Sequence, residues 1–354
     1  MPKRTVFICG GGTGGHFFSG VALAEKILDF CPDRKIIFVG TSRGIEARFE
    51  PTDSRMSKAF IHARGLKGKS VVHQALGVFS MLRGIFDSFF LLVRERPELV
   101  VGVGGYASAP TVFAAFLLRP LLCHRVAVLD QNSSVGLANR LFSRLPGIKA
   151  LCAFTVPGFH RVSLPVRAAI ERAAENARAF SWPPQTVLVM GGSQGARGLN
   201  RKWVSEILSP LRRAFPNLKF IHQTGEADFY DVKKAYVEAG IEAEVFTFSS
   251  AMQTVYDRAD LVVCRSGAMT VFEIIAFFRP CVFIPFPNAT DDHQYKNAIA
   301  VQKTNWVLRE ENLNWASFEP LLRSSSPSIP SQSSSISTRA EWKEILRPLL
   351  KFPL

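Results

Sequence analysis

Residues 6–20 read Val6-Phe7-Ile8-Cys9-Gly10-Gly11-Gly12-Thr13-Gly14-Gly15-His16-Phe17-Phe18-Ser19-Gly20. Four apolar residues run into a glycine loop. A helical pattern follows, in which Val21, Leu23, Ala24, Ile27 and Leu28 recur at spacings of three and four. The order strand, glycine loop, helix opens a doubly wound α/β domain. Glycines in that setting take φ > 0 and let the backbone approach a ligand, while the unpaired N–H groups of the new helix face an anion. A phosphate, or the charge that builds on a reacting oxygen, fits such a place. Gly10, Gly12 and Gly15 formally satisfy the G-x-G-x-x-G dinucleotide pattern. The next strand candidate, 36–39, ends in Gly40-Thr41 without the acid that would hold an adenine ribose. The loop therefore reads as a sugar or phosphate loop, not a nicotinamide one.

Outward from this stretch, strand candidates at 59–62, 99–103, 126–129 and 149–154 alternate with helical patterns. Such alternation predicts a parallel sheet wound on both faces, with ligands at the carboxyl ends of its strands. Three polar clusters stand at those ends: Gly65-Leu66-Lys67-Gly68-Lys69, Gly102-Val103-Gly104-Gly105-Tyr106-Ala107-Ser108, and Asp130-Gln131-Asn132. The segment 164–184, rich in Ala, Arg and Glu and closed by Trp182-Pro183-Pro184, reads as a connection between domains. The opening device then repeats as a strand at 186–190, the loop Gly191-Gly192-Ser193-Gln194-Gly195-Ala196 and a helix at 199–211. Further strands are expected at 220–222, 243–246, 261–264 and 281–285. Two halves that open alike predict two similar domains, 1–163 and 185–323, facing across a cleft that holds the active site. Residues 324–337 are almost entirely Ser and Pro, a composition that buries no core and reads as a flexible loop, and 338–354 carries a last helix.

A chain of 354 residues exceeds what one hydrophobic core usually supports. Its formal charge of +14 suits an acidic partner: nucleic acid, an anionic membrane surface or a phosphorylated substrate. The cysteines, at 9, 31, 123, 152, 264 and 281, form no C-x-x-C pair and no metal-ligand spacing, and they read as buried free thiols of a reducing compartment. Between Lys3-Arg4 and the glycines lie too few apolar residues for a signal peptide. The apolar helix at 77–93 carries Arg83 and Asp87, so it does not read as membrane-spanning. The expectation is a cytosolic protein, at most resting on a membrane.

Among candidate chemical groups, Glu273 in Cys264-Arg265-Ser266-Gly267-Ala268-Met269-Thr270-Val271-Phe272-Glu273 is expected near the start of a helix. There it either accepts two ribose hydroxyls or serves simply as an N-terminal helix acid. Asn288-Ala289-Thr290-Asp291-Asp292-His293-Gln294 offers amide and carboxylate groups for sugar hydroxyls, or a polar helix cap. No Asp-x-Asp occurs, and Asp291-Asp292 reads as a helix start, so no metal is indicated. A departing diphosphate would be met by helix N-termini and by Arg167. His16, on the glycine loop at a helix start that favours neutral imidazole, is either a general base or a structural histidine bonded to backbone.

The runs GGGTGGHFFSG at 10–20, GLKGKS at 65–70, VGGYASAP at 103–110, DQN at 130–132, PVR at 165–167, GGSQGA at 191–196, HQTG at 222–225, CRSGAMTVFE at 264–273 and DDHQYKNA at 291–298, taken in order, resemble the MurG family. The resemblance implies a GT-B fold of two Rossmann-like domains. It also implies inverting, metal-independent transfer of N-acetylglucosamine from UDP-GlcNAc to the C4 hydroxyl of lipid I, giving the lipid II of peptidoglycan. By the same resemblance His16 takes the place of the base. Thr13, Gly14 and Gly15 belong to the first loop, and Tyr106 to the acceptor side. Asn132, Arg167, Ser193, Ser249, Ala268, Met269, Thr270, Val271, Phe272, Glu273 and Gln294 match donor contacts, with Glu273 on the ribose. The implied partners are the two substrates, an anionic membrane surface and other cell-wall enzymes, with no nucleic acid and no cofactor. The implied location is peripheral, on the cytoplasmic face of the bacterial inner membrane. Leu76, Phe79 and Arg83, beside Lys67 and Lys69, are the expected lipid contacts. The chain departs from the family pattern at Ser19, usually Pro; at Leu129-Asp130, usually His-Glu; at Leu164, usually Asn; and at Phe278, usually Gly. The alternatives are another GT-B enzyme such as a UDP-GlcNAc 2-epimerase, and a non-catalytic membrane-bound scaffold.

Overall fold

The computed structural model describes residues 4–11, 14–43, 45–51, 53–64, 71–122, 124–192, 195–325 and 338–350. The chain divides into two units, Met1–Ala168 with Ser337–Leu354, and Ala169–Ile336. The first runs β1 (Thr5–Cys9), α1 (Gly14–Phe30), β2 (Lys35–Gly40), α2 (Ile45–Arg48), β3 (Met56–Phe60), α3 (Val71–Glu95), β4 (Leu99–Gly102), α4 (Ala109–Leu122), β5 (Arg125–Asp130), α5 (Leu137–Phe142), β6 (Ile148–Cys152) and β7 (His160–Arg161). These strands form one sheet in the order β3-β2-β1-β4-β5-β6-β7, and every pairing is parallel. Every residue of β1 is buried, as expected for a central strand of a sheet covered on both faces. On α1, Val21, Ala22, Leu23, Ala24, Ile27 and Leu28 are at most 5% exposed and form its core face. The expected strand at 59–62 instead spans Met56–Phe60. Paired only with β2, this edge strand accommodates Ser57 and Lys58, which break the apolar run that a sequence search looks for.

The connection is not featureless. Leu164, Pro165 and Val166 are buried, Ala168 N–H donates to Glu25 Oε2 at 2.6 Å, and α6 (Ala168–Glu175) buries Ile170 and Ala174. Further along, Asp260 accepts the N–H groups of Ser181, Gln185 and Thr186 together with the Arg178 guanidinium. The stretch 164–184 therefore carries a helix and buried anchors of its own.

The second unit continues with β8 (Thr186–Met190), α7 (Arg197–Lys202), a π-helical stretch Trp203–Leu208, α8 (Ser209–Ala214), β9 (Lys219–Gln223), α9 (Phe229–Glu238), β10 (Ala243–Phe246), α10 (Met252–Arg258), β11 (Leu261–Cys264), α11 (Ala268–Ala276), β12 (Cys281–Phe283), α12 (His293–Ala300), β13 (Trp306–Val307) and α13 (Trp315–Arg323). Its sheet, again parallel throughout, has the order β10-β9-β8-β11-β12-β13. Both sheets thus have the Rossmann order, with the reversal of strand direction of travel at β1/β4 and at β8/β11. The core of this unit gathers on Trp203, whose ring meets Phe220 and Phe318 edge-on.

A buried polar chain runs through that core. Indole N–H can only donate, so Trp203 Nε1 gives its hydrogen to the Tyr236 hydroxyl at 2.8 Å. The hydroxyl in turn donates to His222 Nδ1 at 3.2 Å, and His222 Nε2–H donates to Asn200 Oδ1 at 3.2 Å. The Asn200 NH2 group reaches Thr224 O at 2.9 Å and Asp228 Oδ2 at 2.8 Å. This directionality needs a neutral imidazole, and burial lowers the His222 pKa from 6.5 to about 3.

Finally, α14 (Thr338–Leu350) belongs to the first unit. Trp342, 1% exposed, donates its indole N–H to Ser163 O at 2.8 Å, and the Glu341 carboxylate accepts from Ser163 N–H. Arg34 and Arg125 reach Leu350 O and Leu349 O, each at 3.1 Å. The five described cysteines are buried free thiols; Cys264 and Cys281 lie 3.6 Å apart on neighbouring strands, and Cys123 is outside the described residues. Also outside them are Lys67 and Lys69 of the 65–70 run, the side chain of Leu76, and 326–337 of the Ser/Pro-rich stretch.

Candidate active site

In the first unit the sheet reverses between β1 and β4, and the loops that follow these two strands are pressed together. A Cβ added to Gly10 would stand 2.5 Å from Val103 Cγ2, and one added to Gly104 would stand 2.5 Å from His16 Cδ2. The imidazole edge of His16 therefore rests on the bare α-carbon of Gly104, which is itself left-handed with φ 95°. His16 is half-buried in the first turn of α1, and its carbonyl accepts the Ser19 hydroxyl at 2.8 Å. Ser19, where the family usually has Pro, thus makes a bond that Pro cannot. Gln131, at the end of β5, has its amide oriented by its neighbours so that the NH2 donates to Gly15 O at 2.7 Å and to Ser19 Oγ at 3.2 Å.

Asp130 organises the loop behind this group. Its buried carboxylate accepts the N–H of Asn132, the N–H of Gly136 and the NH2 of Asn139, each at 3.0 Å. The Asn132 carbonyl accepts the thiol of Cys152 at 3.4 Å, and burial pushes that thiol up to about 11, so it keeps its proton. Tyr106 is half-buried in the same turn as Gly104, and Arg167 is half-buried just ahead of α6. Gly14 and Gly15 open α1, while Thr13 is outside the described residues. One contributor was not foreseen. Glu46 of α2, 2% exposed, accepts the N–H and the hydroxyl of Thr41, both at 2.9 Å, and a Cβ on Gly11 would lie 2.4 Å from its carboxylate.

In the second unit the reversal lies between β8 and β11. After β8 come Gly191, Gly192, Gly195 and Ala196; Ser193, with Gln194, is outside the described residues. After β11, Arg265, Ser266 and Gly267 lead into α11, which carries Ala268, Met269, Thr270, Val271, Phe272 and Glu273. Ala268, Val271 and Glu273 are buried, and Met269, Thr270 and Phe272 half-buried. Glu273 is the sixth residue of α11, in its second turn. The helix dipole therefore does not account for an acid here. Tyr256 of α10 donates its hydroxyl to Glu273 Oε2 at 3.0 Å.

Gln294 and α11 are linked through Ser266. The Ser266 hydroxyl donates to Gln294 O at 2.8 Å, and Asn297 NH2 donates to Ser266 O at 3.3 Å. Gln294 uses its side-chain oxygen to accept Phe286 N–H at 3.0 Å. Asp291 and Asp292 sit in a left-handed turn ahead of α12, with Asp292 paired to Arg309 at 3.3 Å. Ser249 caps the approach to α10, its hydroxyl accepting Ala251 N–H at 3.1 Å. The structure thus places His16, Gly104, Tyr106, Gln131 and Asn132 at the switch point of one unit. Ala268 to Glu273 and Gln294 stand at that of the other. Tyr256, which bonds to Glu273 of this second set, was missed because its partner lies far away in sequence.

Residues 6–147 match the glycosyltransferase family 28 N-terminal domain, and residues 186–334 match the glycosyltransferase family 28 C-terminal domain. A UDP-N-acetylglucosamine--N-acetylmuramyl-(pentapeptide) pyrophosphoryl-undecaprenol N-acetylglucosamine transferase of Myxococcus xanthus is 39% identical over 306 residues, covering 84% of this chain and 77% of the relative. The enzyme of the same description from Pelobacter propionicus is 40% identical over 338 residues, 87% of each. The crystal structure of Acinetobacter baumannii MurG superposes with a TM-score of 0.71 at 26% identity, covering 91% of this chain and 90% of that one. A UDP-GlcNAc 2-epimerase from Neisseria meningitidis bound to UDP-GlcNAc shares the fold alone, with a TM-score of 0.58 at 13% identity over 99% of this chain and all of that one. The chain has the GT-B fold and belongs to glycosyltransferase family 28, in the MurG family of that group.

Proposed function

We propose that the protein transfers N-acetylglucosamine from UDP-N-acetylglucosamine to the C4 hydroxyl of lipid I, forming lipid II for peptidoglycan with inversion at the anomeric carbon. Its kinship with the curated transferases along 77% and 87% of their length is the observation that carries this reading. In the proposed reaction His16, seated on Gly104, takes the proton of the acceptor hydroxyl as that oxygen bonds to the anomeric carbon. The bond from that carbon to the UDP oxygen breaks on the opposite face, and UDP leaves with the electron pair. Charge on the departing diphosphate is met by the N-termini of α11 and of the helix after the second glycine loop, and by Arg167, with no metal. The proposed donor set comprises Asn132, Arg167, Ser193, Ser249, Ala268, Met269, Thr270, Val271, Phe272, Glu273 and Gln294, with Glu273 on the ribose. Thr13, Gly14 and Gly15 are assigned to the substrate-binding first loop, and Tyr106 to the acceptor side.

A lipid-linked acceptor requires the enzyme to work at a membrane surface. Among the described residues no helix is long and apolar enough to cross a membrane. α3 nevertheless exposes Val78, Phe79, Leu82, Phe86, Phe89 and Phe90, with Phe79 at 66%, and exposed Arg83 stands among them. This contiguous apolar face supports peripheral attachment to the cytoplasmic face of an anionic membrane. Other cell-wall enzymes are proposed as neighbours there.

Labelled UDP-N-acetylglucosamine incubated with a short-chain lipid I analogue is expected to give the disaccharide lipid, with and without EDTA. Formation of UDP-N-acetylmannosamine instead, or no product at all, overturns the proposal; loss of product on chelation overturns its metal-free step. Sedimentation with anionic vesicles is expected to fall with salt and in the Phe79→Ser, Arg83→Glu variant. Unchanged sedimentation of that folded variant moves the membrane face elsewhere.

A further inference from the structure

We infer that buried Arg265 and half-buried Glu310, an ion pair outside the proposed donor set, position the donor loops of the second unit. The inference rests on reading that unit as the UDP-N-acetylglucosamine site. Arg265 follows directly on β11 and is 7% exposed. One of its terminal nitrogens donates to Ile284 O at 3.1 Å and to Pro285 O at 3.2 Å, gripping the chain where β12 gives way to the loop that leads to Gln294. The other meets the carboxylate of Glu310, which lies just beyond β13. The Arg265 guanidinium carbon also lies over the Phe286 ring, 5.5 Å from the centroid.

Glu310 carries the connection further. A Cβ added to Gly198 would lie 2.1 Å from Glu310 Oε1, so this carboxylate is packed against the first turn of α7, the helix that follows the second glycine loop. One ion pair therefore spans the ends of β11, β12 and β13 and touches the helix after β8. The neighbouring Ser266 adds its bonds to Gln294 and Asn297. Every loop that carries a described donor candidate after β11 and β12 is fixed to the dipeptide Arg265-Ser266.

Two physical points favour positioning over stabilisation. A buried ion pair gains little net stability, because removing both charges from water costs about as much as their attraction returns. Geometry, by contrast, is what this arginine supplies. A planar fork can satisfy two carbonyls and a carboxylate together, which a lysine ammonium cannot do from one place. Binding groups must be held within about 0.5 Å of their productive geometry, so a donor loop displaced by about 1 Å loses hydrogen bonds to its ligand.

The test compares Arg265→Lys, the double variant Arg265→Met with Glu310→Leu, and Glu273→Ala, by UDP titration calorimetry, steady-state kinetics and urea unfolding. The apolar pair is expected to unfold at nearly the wild-type midpoint. Its UDP affinity is expected to fall by about tenfold or more, with KM for the donor rising in step and kcat within about threefold of wild type. R265K is expected to show the same loss at an unchanged midpoint. If the folded double variant binds UDP as the wild type does, the pair is only structural and the inference is overturned. Should the double variant not fold, R265K decides alone, and wild-type affinity in it overturns the inference. E273A keeps the two readings apart. Wild-type UDP affinity in E273A shows that the donor assignment has failed, whereas loss in E273A with none in R265K sinks the positioning role alone.

Discussion

Glu273 and His222 are both buried in the second unit, and each makes a measurable claim. The Glu273 carboxylate holds the Tyr256 hydroxyl on one oxygen and stands in a helix whose start faces the switch point of its sheet. Losing a charged acceptor for ribose hydroxyls costs on the order of 1.5–3 kcal/mol. Glu273→Ala is therefore expected to weaken UDP by roughly 10- to 150-fold, while Tyr256→Phe, which leaves the carboxylate in place, has a much smaller effect. Unchanged UDP affinity in the alanine variant removes Glu273 from the donor site. His222 is held neutral, with a folded pKa of about 3 against 6.5 when unhindered. The unfolded chain takes up a proton first as pH falls, so stability is complete above about pH 6.5 and is lost from there downward. The loss is about 1.4 kcal/mol for each pH unit, near 2–3 kcal/mol at pH 4.5. Urea midpoints measured from pH 7 to 4.5 should fall more steeply in the wild type than in His222→Gln, and parallel slopes exclude His222 as the source.

At the scale of elements, the end of α11 shows how a departure from the family pattern is absorbed. Phe278 is left-handed with φ 53°, its N–H bonds to Ile275 O at 3.0 Å, and Arg279 N–H bonds to Ile274 O at 3.3 Å. These two bonds make a Schellman cap, whose left-handed position is normally filled by glycine. A side chain there costs about 1–2 kcal/mol, partly offset by the greater unfolded freedom of glycine. Phe278→Gly is therefore expected to stabilise the second unit by about 0.5–1 kcal/mol in urea unfolding. Destabilisation means that packing of the half-buried phenyl outweighs the backbone. Elements of this kind also mark the limit of what the sequence tells. The strand, glycine loop and helix repeated at 6–28 and 186–211 were legible, because continuous apolar runs and helical spacing are local signals. The bounds of edge strand β3, where Ser57 and Lys58 interrupt the apolar run, and the two-residue strands β7 and β13, too short to carry a pattern, were not. In the site, His16 was visible from its loop. Its seat on Gly104, the support from Glu46 and the hold of Arg265 on Ile284 and Pro285 depend on residues distant in sequence. Only the fold brings those residues together.

At the scale of the whole molecule, the first unit is built from both ends of the sequence. Trp342 of α14 is almost fully buried and bonds to Ser163 O, so Trp342→Ala removes a large core side chain as well as a hydrogen bond. A loss of about 3–5 kcal/mol is expected, confined to the first unit. Amide exchange should then quicken in β1, β4 and β5, and not in β8 or β11. Equal acceleration in both units contradicts the assignment of α14 to the first. This return of α14 reaches back to how the protein is made. A ribosome that has delivered residues 1–168 has not delivered the whole of the first unit, whereas residues 169–336 are one unbroken stretch. Domains ordinarily mature in the order of synthesis. Here the later-made unit can finish while the earlier one waits with the seat of α14 open. The nascent chain therefore carries an uncovered apolar surface while residues 169–336 are made, which a chaperone binding near the exit tunnel would find.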